Sequence, residues 1–96
     1  MIKQLRNEEN NALFEAILHL ETIEDCYMFF EDLCTVKEIE AMAIRLHAAK
    51  KLLEGETYEK TLESVNISSA TLSRVSKAIK YGDGGYKKII EKCGKK

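Results

Sequence analysis

Between Thr35 and Gly55 the sequence writes two apolar stripes onto one helix. Ile39, Met42, Ala43, Leu46 and Leu53 form the first, and Ala41, Ile44, Ala48 and Leu52 the second. A helix that is apolar on two faces has to be packed from two sides, which makes it a central element. Thr35 followed by Glu38 is a capping box that starts it, because each side chain can satisfy an unpaired backbone N–H. Gly55 ends it, as the residue that takes positive φ at least cost. The segment before it, Ile23 to Cys34, makes the same demand: Ile23, Cys26, Tyr27, Phe30, Leu33 and Cys34 share one broad face, yet Met28 and Phe29 lie off it. A chain of 96 residues buries only about 60 to 65% of its surface. So much apolar area on the 23–34 segment points to an obligate dimer.

The rest of the chain, which has no proline, also reads as helix. Leu13, Phe14, Ile17 and Leu18 give one face to a helix from about Glu8 to Leu20. Thr57 can cap a short helix carrying Tyr58, Leu62 and Val65, Asn66 follows as a residue tolerant of the left-handed conformation, and Ser68 or Ser69 caps the next helix. In that next helix Leu72, Val75 and Ile79, with Ile67 ahead of them, form the stripe that faces a core. Ala70, Arg74 and Lys77, flanked by Thr71 and Ser73, lie opposite, and short hydroxyls, a small residue and positive charge suit a DNA major groove. Gly82, Gly84 and Gly85 stop this helix near Tyr81, and a last one from Tyr86 to Cys93 packs back through Ile89 and Ile90. Tyr81 and Tyr86 are expected to pack in the core, stacking on nucleic acid being the alternative. An all-α fold is the expectation.

Charge divides the chain. From Asn66 onward eight basic residues face two acidic ones, a net of +6, whereas the first 65 residues hold seven basic and fourteen acidic ones, a net of −7. A basic end on an acidic body turns a protein toward a polyanion without making its whole surface adhesive; for Lys92 to Lys96 alone, a solvated terminus is the plainer account. No apolar run approaches the roughly 18 residues of a membrane span, and MIKQLRNEENN lacks the apolar segment of a secretory signal, so a cytoplasmic protein with no membrane partner is expected. Cys26, Cys34 and Cys93 form no CxxC pair and read as reduced, mostly buried thiols rather than metal ligands or a disulfide framework. His19 and His47 sit in no catalytic or metal-binding spacing, and no phosphate cradle or nucleophile elbow is present, so neither an enzyme nor a metal site is expected.

The residues TYEKTLESVNISSATLSRVSKAI resemble the helix-turn-helix of bacterial regulators. The longer stretch from Thr35 to Lys80, with its capped long helix, Arg45, the LLEGET turn and ATLSR, resembles the trp repressor family, and with the GDGGY tail its YerC/YecD subgroup. That resemblance implies a single domain over residues 1–96: an intertwined homodimer held by helices within 8–54 and 86–93, with the helix-turn-helix of 57–81 projecting as a reading head. The two heads of a dimer would lie roughly 34 Å apart, so double-stranded DNA with a palindromic operator is the expected partner. The DNA-contacting set carried over is Lys60, Ser68, Ser69, Ala70, Thr71, Ser73, Arg74 and Lys77. Two features depart from the pattern: Leu62 stands where many such units have alanine, and the turn before Ser69 is about one residue shorter than in the trp repressor, so the angle between the two helices is left open.

The same resemblance places Thr35, Arg45 and Arg74 where the family's tryptophan corepressor is held. The family's glycine and serine at that pocket are here Val75 and Ala78, which crowd the indole and remove a polar partner for the zwitterion, so no tryptophan cofactor is expected. The expected account of the arginines is that Arg45 pairs with an acidic neighbour such as Glu38 or Glu56 and Arg74 touches a phosphate or caps a helix end; a pocket of Thr35, Arg45 and Arg74 for a different small ligand is the alternative. A competing function is a small helical module that docks on another protein through its basic third. Such a face would expose large apolar anchors on the second helix of the pair, where this sequence has alanine and hydroxyls.

Overall fold

The computed structural model describes residues 2–94; Lys95 and Lys96, counted above in the basic terminus, lie outside the described residues. Seven helices and no strand occur among them: α1 (Ile2–Leu5), α2 (Glu8–Leu18), α3 (Ile23–Leu33), α4 (Val36–Leu53), α5 (Tyr58–Ser64), α6 (Ser69–Tyr81) and α7 (Gly85–Gly94). The chain divides into two compact units after Ile39, within α4.

In the first unit α2, α3 and α4 are each started by a side chain. Asn7 accepts from the Asn10 N–H at 2.7 Å, and Asn10 in turn donates to the Leu5 carbonyl at 2.6 Å, which ties the end of α1 to the start of α2. Thr22 caps α3 by accepting from the Asp25 N–H, while the Asp25 carboxylate reaches back to the Glu21 N–H. At the start of α4 the expected box closes in both directions: the Thr35 N–H donates to the Glu38 carboxylate at 2.8 Å, and the Glu38 N–H to the Thr35 hydroxyl at 3.1 Å. The hydrogen bonds that Glu38 accepts from Thr35 lower its pKa. Phe29 and Phe30 meet edge to face, 5.6 Å between ring centres.

Well capped as α2 and α3 are, they and α1 contain no buried residue. Leu18 is 82% exposed and Ile23 74%, with Phe14, Tyr27, Met28 and Leu33 also open. The face expected of α2 is therefore split, Leu13 and Ile17 half-buried and Phe14 and Leu18 exposed. Cys26 and Cys34 are half-buried and Cys93 is exposed, so the expectation of mostly buried thiols is corrected. Neither α3, which holds Cys26 and ends at Cys34, nor α7, which holds Cys93, buries any of its residues.

The second unit has a core. Ala48, Val65 and Leu72 are buried together, with Ile44, Leu52, Tyr58, Leu62 and Ile67 packed against them. Here the two stripes of α4 part company. Ile44, Ala48 and Leu52, from the second stripe, join this core, whereas Met42, Ala43 and Leu46 of the first stripe are exposed. The sequence asked for two packing partners, and the single chain supplies one. At the end of α4 the Glu56 N–H bonds the Lys51 carbonyl and the Gly55 N–H the Leu52 carbonyl, a Schellman closure that requires the +100° φ of Gly55.

Between α5 and α6 the chain does not turn through a left-handed Asn66, since no non-glycine described residue has positive φ. Instead Val65 is extended and the Ile67 N–H bonds the Val65 carbonyl at 2.8 Å, a three-residue turn that Asn66 enters at no left-handed cost. Helix α7 packs on α6, with Tyr86 and Ile90 half-buried and Ile89 exposed. Tyr81 is also exposed, contrary to the core position expected for it, because α6 ends there and the glycines that follow turn the chain away from it.

Candidate nucleic-acid interface

Helix α6 stands on Ser68. Its hydroxyl accepts from the Thr71 N–H at 3.1 Å and donates to the Thr71 hydroxyl at 2.9 Å, which satisfies one of the free N–H groups of the first turn. Leu72 and Val75 turn inward and are buried. Helical geometry then sends Ser69, Ala70, Arg74 and Lys77 outward, and all four are exposed, with Thr71 and Ser73 half-buried at the margin. Lys60 is exposed on α5, whose own start is capped by the Thr57 hydroxyl accepting from the Lys60 N–H.

The outward surface of α6 thus offers the hydroxyls of Ser69, Thr71 and Ser73 and an alanine toward its N-terminal end, then Arg74 about one turn and Lys77 about two turns further on. From Ser68 to Lys80 it carries no exposed large apolar side chain. A helix N-terminus also presents partial positive charge toward whatever it faces. Such a surface can hydrogen-bond base edges with short side chains and take phosphates with long cationic ones. Ser68 is engaged in the cap, so within that set its hydroxyl shapes the helix end.

The weaker set is dispersed in role. Thr35 is occupied by the α4 cap, Arg45 is half-buried on α4, and Arg74 is exposed on α6. The expected pairing of Arg45 with Glu38 or Glu56 does not occur among the described residues. Glu38 serves Thr35, and Glu56 lies 3.7 Å from Lys51 instead. Val75 is buried within its own unit, and Ala78 is exposed. No group of three metal-ligating side chains occurs among the described residues, and none of the described helices is long and apolar enough to cross a membrane.

Sequence reasoning missed two residues that hold the head together. Tyr58, counted only as apolar, donates its hydroxyl to the Ser69 carbonyl at 2.9 Å. Glu56, considered only for Arg45, accepts from the Thr61 hydroxyl at 2.9 Å and the Ser64 hydroxyl at 3.2 Å. The spacing of Glu56, Thr61 and Ser64 could have suggested the second contact, since 61 and 64 share a helix face; periodicity says nothing of the first.

Residues 8–93 match the Trp repressor protein family. The chain is 43% identical to the uncharacterized protein YerC of Bacillus subtilis (strain 168) over 91 residues, 95% of this chain and 88% of that one. It superposes on the crystal structure of a candidate Trp repressor from Staphylococcus aureus with a TM-score of 0.90 at 41% identity, covering 97% of this chain and 93% of the other. A TrpR-like protein from Eubacterium eligens ATCC 27750 gives 0.88 at 39% identity, covering 96% and 95%. With its residues matched almost end to end and its helices following those of two solved relatives, the chain belongs to the Trp repressor family, in the subgroup of YerC.

Proposed function

We propose that the protein is a homodimeric, sequence-specific DNA-binding regulator of transcription, a repressor, that sets two α5–α6 heads into successive major grooves of a palindromic operator. The observation that carries this is the outward face of α6: short hydroxyls and alanine at its start, Arg74 and Lys77 beyond, and no large apolar anchor before Tyr81. That is a face for base edges and phosphates rather than for a protein groove. Membership of a family of DNA-binding regulators supports the same reading.

In this account Ser69, Ala70, Thr71 and Ser73 meet base edges directly or through water, Ser68 holds their helix end, and Lys60, Arg74 and Lys77 fix register on the phosphates. The dimer is supported by the exposed stripe of α4 and the uncovered faces of α2 and α3. Regulation does not run through tryptophan, because Val75 and Ala78 replace the small and polar residues of the family's pocket. Titration calorimetry with tryptophan is expected to show no saturable heat; tight binding would overturn that part.

The test of the function is to pass sheared genomic DNA of the source organism over the purified protein at moderate salt and sequence what is retained. Enrichment of a palindromic site is expected. Retention at low salt only, with no shared motif, would mean electrostatic binding and would end the case for a specific repressor.

A further inference from the structure

We infer that Glu56 and Tyr58 are positioning residues that set the pose of the reading end of α6, Glu56 pinning α5 to the end of α4 and Tyr58 pinning α6 to α5. The inference rests on the DNA-reading role of α6 proposed above. Glu56 lies in the short link between Gly55 and the Thr57 cap, and it is tied in two directions. Its backbone N–H bonds the Lys51 carbonyl and closes α4. Its carboxylate accepts from Thr61 and Ser64 on α5 and lies 3.7 Å from the Lys51 ammonium. Thr61 is fully buried, so its hydroxyl has no access to water in place of Glu56. Because Thr61 and Ser64 stand one turn apart, α5 cannot rotate about its axis or slide along α4 without losing both bonds. The bond from Thr61, with the charges of Lys51 and Lys60 adding to it, holds the carboxylate below its ordinary pKa, so it is an ionised acceptor at neutral pH.

The second pin spans eleven residues. The Tyr58 hydroxyl reaches from the first turn of α5 to the carbonyl of Ser69, the first residue of α6 and one of those placed at base edges. The Ser68 cap orders the first turn of α6 but does not orient it to anything else. Tyr58 supplies that orientation. The two pins run in series from α4 through α5 to the residues that read. A dimer needs this of each head, since both must meet their grooves at one fixed separation.

Two variants of the full chain test the pins, Glu56→Ala and Tyr58→Phe, with Glu56→Gln as the conservative control whose amide oxygen can still accept from Thr61 and Ser64. Without DNA, amide hydrogen exchange in residues 60–65 is expected to quicken about tenfold in Glu56→Ala, the effect of one lost buried hydrogen bond, and less in Glu56→Gln. Tyr58→Phe, which removes one oxygen and leaves the ring, is expected to quicken residues 71–73 instead. With the operator recovered from genomic DNA, the readout is the ratio of affinities for that site and for the same site with one base pair inserted between its halves. Both Glu56→Ala and Tyr58→Phe are expected to lower that ratio about fivefold or more while random duplex at low salt binds within about twofold of the parent. A role confined to stability would leave the ratio unchanged well below the melting temperature. Unchanged exchange in both variants, or an unchanged ratio with exchange quickened, would overturn the inference. If no operator is recovered, the DNA reading falls and the specificity role with it, while the exchange data still report whether the pins hold.

Discussion

Leu72 shows how little of this chain is held by any one contact and how much by a few. It has no accessible surface and sits with Ala48 and Val65 at the centre of the core. Leu72→Ala is expected to cost about 2 to 5 kcal/mol, the range for a leucine truncated where neighbours relax only in part; denaturant melts measure it. The Thr35–Glu38 box acts through a proton. Glu38 has its pKa lowered on folding by the hydrogen bonds from Thr35, so its contribution is full above the unfolded value and fades as pH falls through the folded one. Melts followed downward from pH 5 are expected to lose less stability in Glu38→Gln, which cannot titrate, than in the parent. The box was legible in the sequence because its whole grammar is local. The Tyr58–Ser69 bond was not, because its partners are distant and one of them is a backbone carbonyl.

At the level of the elements, start signals carried most of the readable information. Thr35 and Thr57 cap the helices they were expected to cap, Ser68 is the one of the two candidate serines that caps α6, and Gly55 closes α4 through its positive φ. Helix α1 went unread, since four residues are too few to show a period and its tie to α2 comes from Asn10. Asn66 misled because tolerance of left-handed backbone is a permission, and a three-residue turn met the need without it. Gly82 serves close approach rather than positive φ. A methyl group there would run into the carbonyl of Ala78, which already accepts from the Gly82 N–H. Gly82→Ala is therefore expected to lower the melting temperature by several degrees and to loosen the last turn of α6, with faster exchange at residue 82; an unchanged melt would show that the turn absorbs the methyl.

For the whole molecule, the unmatched stripe of α4 and the bare faces of α2 and α3 set the expectation. A homodimer that buries them has a melting temperature that rises with protein concentration, and Ile23→Lys is expected to shift sedimentation toward the monomer and flatten that rise. The sequence made the excess of apolar faces readable, because a helix greasy on two sides is visible from spacing alone. It did not show which stripe its own chain would cover, because that depends on where α5 and α6 fall.

Every buried side chain among the described residues lies at or beyond Ala48. Translation runs the other way. The half of the chain that leaves the ribosome first is the half with nothing of its own to close upon, and the half able to form a core arrives last. A newly made copy must therefore carry Leu18, Ile23 and their neighbours uncovered even after its last residue is added, in view of chaperones and proteases. In the proposed dimer, only a meeting with a second copy ends that exposure. Survival then depends on how many copies are being made at once, so the amount of working regulator would rise more steeply than its synthesis.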